Sequence, residues 1–220
     1  MSRIAVITGD LINSTKVRDA RGFRRRLEIL LELAGQRYHA TTALYRGDGF
    51  QVALDAKQAN ALEVAVVLRT GLIALSPDRK NRWDARVAIA FARGEEQEKV
   101  EGKKPAILSI RDQNSPAFVN SGRTLDAMDK DHLCIHGRSA SARLALGVAS
   151  GFADDIINQL TATEAEVLHY YFLDRKSHSD IARQLGKKRP TITLALQRAK
   201  YTLIDGFTRD MNKFLEQCDE

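Results

Sequence analysis

The sequence predicts an α+β chain in two parts: a sandwich of short strands and helices over residues 1–145, then an all-α segment over residues 155–220. Three observations carry this. Before about Ser139 the apolar residues switch between strand-like and helix-like spacing, and after it every apolar pattern is helical. The 220 residues are enough for one large domain or two modest ones. Charge is also unevenly spread: residues 175–200 hold eight basic side chains and one acid, an excess that outweighs the net +6 of the whole chain.

Taken in order, residues 3–9 are a short apolar run ending in glycine, which reads as a buried strand. Residues 20–40 are an amphipathic helix with Phe23, Leu27, Leu30, Leu31 and Leu33-Ala34 on its inner face. Residues 43–46 and 51–54 are two short strands joined through Gly47-Asp48-Gly49, whose glycines supply the positive φ a tight hairpin needs. Residues 60–74 form a second helix, 84–92 a strand of strong β formers, 115–129 a third helix and 131–136 a last short strand. The order β-α-β-β-α-β-α-β is that of a ferredoxin-like or palm-type sandwich. The boundary falls near residues 140–155, through Ser139-Ala140-Ser141 and the glycines at 147 and 151.

In the second part, Thr161 or Thr163 caps a helix whose first turn holds Glu164 and Glu166, acids favoured by the helix dipole. Ser177 caps the next helix, residues 180–185, and Gly186 permits a sharp corner at its end. Pro190 suits the first turn of a third helix. There Ile192, Leu196 and Ala199 face inward, while Thr191, Thr193, Gln197, Arg198 and Lys200 face out. A short helix, a glycine corner and a helix with a basic approach make a helix-turn-helix arrangement.

Composition excludes several classes. At 44% hydrophobic and 28% charged, the chain is neither disordered nor low-complexity. The most apolar stretches, residues 61–68 and 72–75, fall well short of the ~18–20 residues of a membrane span. The N-terminal apolar run is too short for a signal peptide. Two cysteines, Cys134 and Cys218, require no disulfide framework, so a cytoplasmic location is expected.

Among residues able to do chemistry, Asp10 follows the first strand and Asp48 sits in the following hairpin, so both carboxylates fall at one sheet edge. Two carboxylates that close repel unless a proton or a divalent cation is shared. The alternative makes Asp10 a turn or cap residue and Asp48 a plain turn residue. His132-x-Cys134-x-His136 lies on a strand, where steps of two residues span about 6.6 Å, awkward for one tetrahedral zinc. Arg24-Arg25-Arg26 reads as the solvated face of the first helix.

Two resemblances add to this reading. Val6-Ile7-Thr8-Gly9-Asp10-Leu11-Ile12-Asn13-Ser14-Thr15 resembles the first strand and metal loop of class III nucleotide cyclases. Arg46-Gly47-Asp48-Gly49-Phe50 resembles their I-G-D-G-F hairpin, Arg86-Val87-Ala88-Ile89 their R-V-G-I strand, and Ala117-Phe118-Val119-Asn120-Ser121-Gly122-Arg123 their A-V-N-x-A-x-R helix. Small bacterial proteins of SatD type share this degenerate pattern. The resemblance implies that Asp10, Asp48 and the Leu11 carbonyl hold Mg²⁺ or Mn²⁺. It also implies that Arg93 and Asp112 bind a nucleoside triphosphate, that Arg123 stabilises charge at the phosphoryl group, and that the domain pairs head to tail in a homodimer. Val119 stands where the family has Asn, and Leu44 where it has Lys, so the metal-binding half of the pattern is kept and the half that stabilises the transition state is altered.

The second resemblance is to sigma-factor region 4. It rests on Leu160-Thr161-x-x-Glu164-x-x-Val167-Leu168, on Ser177-x-x-Asp180-Ile181-Ala182-x-x-Leu185-Gly186 and on Leu196-x-Arg198-Ala199-x-x-x-Leu203. It implies double-stranded DNA as partner, with Lys187, Lys188 and Arg189 on phosphates and Thr191, Thr193, Gln197 and Arg198 along the exposed side of the third helix. The expectation is a DNA-binding transcriptional regulator whose sandwich binds nucleotide and metal or dimerises. The rival is an active Mg-dependent cyclase with a DNA-targeting domain.

Overall fold

The computed structural model describes residues 3–45, 47–93 and 115–217. Five strands, β1 (Arg3–Leu11), β2 (Thr41–Leu44), β3 (Gly49–Asp55), β4 (Ala85–Arg93) and β5 (Leu133–Ile135), form one sheet in the order β2-β3-β1-β4-β5. β1 runs antiparallel to both β3 and β4, while β5 is parallel to β4. The first four strands, with helices α1 (Ala20–Tyr38) and α2 (Ala61–Ile73), make the ferredoxin-like core that the element order predicts.

Period-two alternation divides the sheet's residues between two layers. Ala5, Ile7, Val52, Leu54, Val87, Ile89 and Phe91 point into one core with α1 and α2. On the opposite face, Val6, Ala53, Ala88 and Ala92 meet Ala117 and Leu125 of α3 (Pro116–Ala127). The small side chains there let α3 lie close to β1 and β4. Asn60 caps α2 by accepting from the amides of Leu62 and Glu63, and Asp19 caps α1 through Gly22.

All thirteen residues of α2 are buried. Its apolar residues run round the whole circumference, with only Glu63, Arg69 and Thr70 polar, so it must be covered on all sides. The C-terminal helices are α4 (Ala140–Gln159), α5 (Ala162–Asp174), α6 (His178–Gln184), α7 (Arg189–Arg198) and α8 (Tyr201–Gln217); the sheet and α1 cover one side of α2, and α5 with α8 covers the other. Residues 140–155, where the sequence placed its boundary, lie in helix α4, and a single hydrophobic core runs from β1 to α8. Gly71 marks the closest approach, since a Cβ there would lie 2.5 Å from Leu30 Cδ2 and 2.9 Å from His169 Cε1.

Polar side chains fasten the same junction. The Arg69 guanidinium, fully buried in α2, donates to both carboxylate oxygens of Asp84 at 3.0 and 2.8 Å, to Asp154 at 2.6 Å and to Asn158 at 2.7 Å. Asp154 and Asn158 belong to α4, and the second oxygen of Asp154 accepts from the His132 amide at 2.7 Å. Burial pushes the Asp84 carboxyl up, but Arg69, His132 and Arg82 outweigh it and leave its pKa at about 2. Arg82 donates to the C-terminal carbonyls of Leu160 and Ile157, and Arg37 to that of Leu173. Arginines of the sandwich therefore satisfy carbonyls that end α4 and α5.

Candidate functional site

Two surfaces carry functional side chains. The first is the acidic end of the sheet beside α3. The register sets Asp10 opposite both Gly49 of β3 and Arg86 of β4. The Leu11 amide donates to the Asp48 carbonyl at 3.2 Å, which fastens the hairpin against the end of β1. Gly47 adopts φ 90° in that hairpin. Gly9 is required by close packing: a Cβ there would lie 2.5 Å from the Phe50 ring and 2.6 Å from the Arg86 carbonyl.

Asp10 and Asp48 thus share one sheet edge, as the sequence predicts, and both have internal partners. Arg86 grips Asp10 through two bonds, Nε to one oxygen at 3.0 Å and a terminal nitrogen to the other at 2.5 Å. Arg86 also donates to the Met128 carbonyl at 3.2 Å. Its pKa is raised, chiefly by the hydrogen bond to Asp10. The Ser14 hydroxyl donates to Asp48 at 2.5 Å. Beside them runs a polar chain on the α3 face: Tyr45 donates to Gln51, Gln51 to Thr8, and Thr8 pairs with Ser121 at 2.7 Å.

The donor set suits a hard divalent cation, because two carboxylates and the Leu11 carbonyl offer only oxygen. Asp10, Asp48 and Arg86 sum to −1, and Asp126, whose charge also acts on Arg86, makes the surroundings more negative still. Among the described residues no three His, Cys, Asp or Glu side chains converge to hold a metal. An ion here needs further oxygen ligands from water or a phosphate.

The other expected nucleotide residues are dispersed. Arg93 lies opposite Arg3, at the far end of β4 from Asp10, roughly 23 Å away along the strand. Asp112 falls outside the described residues. Arg123 is exposed on α3, between Ser121, which bonds Thr8, and Met128, which bonds Arg86. Thr8, Ser14 and Gln51 escaped sequence reasoning, although Thr8 stands two residues before Asp10 and so shares its face. The His132-x-Cys134-x-His136 stretch holds no zinc-like cluster. The His132 ring pairs with Asn158 at 3.0 Å, and burial pushes the Cys134 thiol up to about 11. Arg26 departs from the solvated expectation: it is half-buried and donates to the Gly71 carbonyl at 3.1 Å.

The second surface is the helix-turn-helix. Thr161 and Glu164 form a reciprocal capping box at the start of α5. Ser177 caps α6 through the Asp180 amide. Gly186 takes φ 61° at the corner, and Pro190 sits in the first turn of α7. Ile192, Leu196 and Ala199 are fully buried, as their spacing requires. Lys188, Arg189, Thr191, Gln197 and Arg198 are exposed along α7. Two expected DNA contacts are engaged elsewhere. Lys187 pairs with Glu166 at 3.0 Å, and the half-buried Thr193 pairs with His178 at 3.0 Å. Leu194, 48% exposed, joins the open face instead.

Residues 153–203, which run from the middle of α4 into α8, match the family Sigma-70, region 4. These helices are therefore a DNA-binding helix-turn-helix of the class that serves transcription regulation. Comparison with curated proteins returns no match. Among solved structures the chain is similar to the active GGEEF domain of a diguanylate cyclase from Vibrio cholerae, at 15% identity and a TM-score of 0.43, over 62% of this chain and 85% of that one. That likeness is too distant to bear on function. The sandwich's own strand order fixes its class as ferredoxin-like, or palm-type. Among the described residues no helix is long and apolar enough to cross a membrane.

Proposed function

We propose that the protein is a DNA-binding transcription regulator whose sandwich takes up a nucleoside polyphosphate together with one divalent cation, Mg²⁺ or Mn²⁺. The observation that carries the DNA reading is the match of residues 153–203 to Sigma-70, region 4, on helices whose basic face is open. Lys188 and Arg189 stand at the N-terminus of α7, where main-chain dipole and side-chain charge both favour phosphate. Thr191, Leu194, Gln197 and Arg198 follow on the exposed side. They supply polar and apolar groups at the depth where a recognition helix reads base edges. Lys187 contributes less, because Glu166 already neutralises it.

At the acidic edge, Asp10, Asp48 and the Leu11 carbonyl would hold the cation. Its charge would offset the negative charge of Asp10, Asp48 and Asp126, so that a polyphosphate would no longer be repelled. Arg86, which holds Asp10 without the ion, would be free to meet the phosphates if the cation took its place, and Arg123 would add a second positive charge from α3. The cation would screen charge and orient the phosphates. With Val119 and Leu44 where a working cyclase has Asn and Lys, the reading is a sensor, and no cyclic product is expected.

Selection from a randomised duplex pool should enrich a defined motif, and footprinting should map it under α7. Failure to bind any duplex at low salt would remove the regulator assignment. Calorimetry with ATP or GTP should show binding that needs Mg²⁺ or Mn²⁺, and absence of binding under all four conditions would remove the sensor.

A further inference from the structure

The acidic edge and the DNA-binding helices are joined by an unbroken set of hydrogen bonds. The Leu11 carbonyl shares one peptide group with the Ile12 amide, and that amide donates to the Asp84 carbonyl at 3.0 Å. A trans peptide is planar and points its oxygen away from its N–H, so a pull on the Leu11 oxygen also turns the bond to Asp84. Asp84 in turn holds Arg69 with both carboxylate oxygens, and Arg69 holds Asp154 of α4. A second route starts from Arg86, whose guanidinium bridges Asp10 and the Met128 carbonyl. The next amide along β4, that of Val87, donates to the His132 carbonyl at 2.9 Å. The His132 amide then donates to Asp154. Both routes end on one carboxylate, Arg69 on one oxygen and His132 on the other.

Asp154 lies inside the segment 153–203 that matches Sigma-70, region 4. From there to the helix-turn-helix the chain has little slack. Only Leu160 and Thr161 separate α4 from α5. Arg82 holds the carbonyls of Ile157 and Leu160, and Thr161 already caps α5.

We propose that this linkage is regulatory: a divalent cation and a nucleoside polyphosphate at the acidic edge lower the affinity of α7 for duplex DNA. The inference rests on the nucleotide reading given above and adds the direction and the route of its effect. The arrangement in which Arg86 holds Asp10 is also the one in which the basic face of α7 is open, so it is the DNA-binding one. A cation on Asp10, Asp48 and the Leu11 carbonyl would displace Arg86 and draw the Leu11–Ile12 peptide away from Asp84. The Arg69 cluster is the rigid part of the linkage, so α4 would move with it. Helices α5 and α7 share one core with α2, so a shift of α4 against α2 disturbs the packing that presents α7. By linkage, duplex DNA must weaken ligand binding by the same factor.

The test follows binding of the full chain to a fluorescent duplex carrying the selected motif, at fixed Mg²⁺ and ionic strength, while ATP or GTP is added. Calorimetry under the same conditions gives the binding of the nucleotide itself. Duplex affinity should fall by about fivefold or more and level off once the calorimetric site is filled. Saturating duplex should weaken the nucleotide equally. Asp154→Asn keeps the shape of the side chain but cannot accept from both Arg69 and His132. It should bind each ligand alone, with the factor between them reduced toward one, and circular dichroism checks its fold. The wild-type measurements stand whether or not that variant folds. Nucleotide that binds and leaves duplex affinity unchanged or raised would overturn the proposal while the ligand site stands. No nucleotide binding at all would remove the reading beneath it, and the proposal with it. A fall that never levels off would be direct competition for α7 and would overturn it too. A folded Asp154→Asn that keeps the full factor would overturn the route.

Discussion

The acidic edge of the sheet and the basic face of α7 are both charged surfaces, and they differ in what already occupies them. At the edge, Asp10 is held by Arg86 and Asp48 by Ser14, so any ligand must first displace an internal partner. On α7, Lys188, Arg189 and Arg198 are exposed and have no ion pair among the described residues. An incoming phosphate there gives up only water and counterions. A ligand proposed for the edge would therefore bind conditionally, whereas the helix is open to immediate contact. The buried Arg69 cluster marks the opposite limit, where charges are satisfied so fully that they serve architecture alone.

That limit gives the largest expected effect. Arg69→Ala would leave Asp84 and Asp154 buried without their cation, which costs roughly 3–5 kcal/mol. Because Arg69 ties α2 to α4, the loss should also weaken the attachment of the DNA-binding helices to the sandwich. Urea unfolding followed by Trp83 fluorescence and by far-ultraviolet circular dichroism should be coincident in the wild type. A wild type with two separated transitions would show that the halves fold independently despite their shared core.

Next in size is the docking of α5 on α2. His169 is 3% exposed, with Nδ1 2.9 Å from the Val67 carbonyl, so the neutral ring donates there. Burial lowers its pKa to about 4 from 6.5, with Arg26 also lowering it and Val67 and Asp174 opposing. The unfolded chain binds this proton first. The contribution is therefore complete above pH 6.5, is lost as pH falls from 6.5 toward 4, and changes no further below that. At about 1.4 kcal/mol per unit the whole span is on the order of 3 kcal/mol. The difference in unfolding free energy between pH 7.5 and pH 5 should shrink in His169→Asn, whose amide can still donate to Val67. An unchanged difference would remove His169 as the source.

The third effect returns to α7. Lys188→Ala with Arg189→Ala should flatten the log–log salt dependence of duplex binding by about 1.8, two phosphate contacts at ~0.9 each. Lys187→Ala alone should change it by less than either, since Glu166 already holds that ammonium. Equal effects from all three lysine and arginine positions would mean that DNA draws Lys187 out of its ion pair, and would narrow the contrast between the two surfaces.

Much of this was legible in the sequence, and the failures have physical causes. Strand and helix order followed from periodicity, and the caps at Thr161 and Ser177 from local hydrogen-bond chemistry, because both are set by near neighbours. The setting of Asp10 beside Asp48 was legible because a hairpin fixes register. The partners of those carboxylates were not, since Arg86 is 76 residues from Asp10 and meets it only through the β1–β4 register. The distance of Arg93 from Asp10 was not legible for the same reason: it follows from the β1–β4 register, which sets Arg93 opposite Arg3. The joining of the two halves had a signal that went unread. Residues 61–73 are apolar on every side apart from Glu63, Arg69 and Thr70, and a helix of that pattern has no face suited to water.

The smallest expected effect tests the acidic edge. Asp10 and Arg86 are each about a quarter to a third exposed, at 26% and 32% of their side-chain surface. Their pair is therefore worth about 0–1 kcal/mol, and Asp10→Asn should move the melting temperature of the metal-free protein little. The informative quantity is the ligand increment. If a dication and a polyphosphate bind together, Mg²⁺ with ATP or GTP should raise the wild-type melting temperature more than the nucleotide alone, by mass action on the folded state. Asp10→Asn with Asp48→Asn should abolish that increment. Arg86→Gln separates two roles for the guanidinium. As a stand-in for the metal, it competes with the cation, and its removal should strengthen binding of Mg²⁺ alone. As a phosphate ligand, it should be missed when nucleotide is present, so the same variant should bind the metal–nucleotide pair more weakly. A variant that strengthened both would make Arg86 purely an internal counterion. One that weakened both would tie Arg86 to the integrity of the edge itself, and the contrast with the open face of α7 would then rest on structure alone.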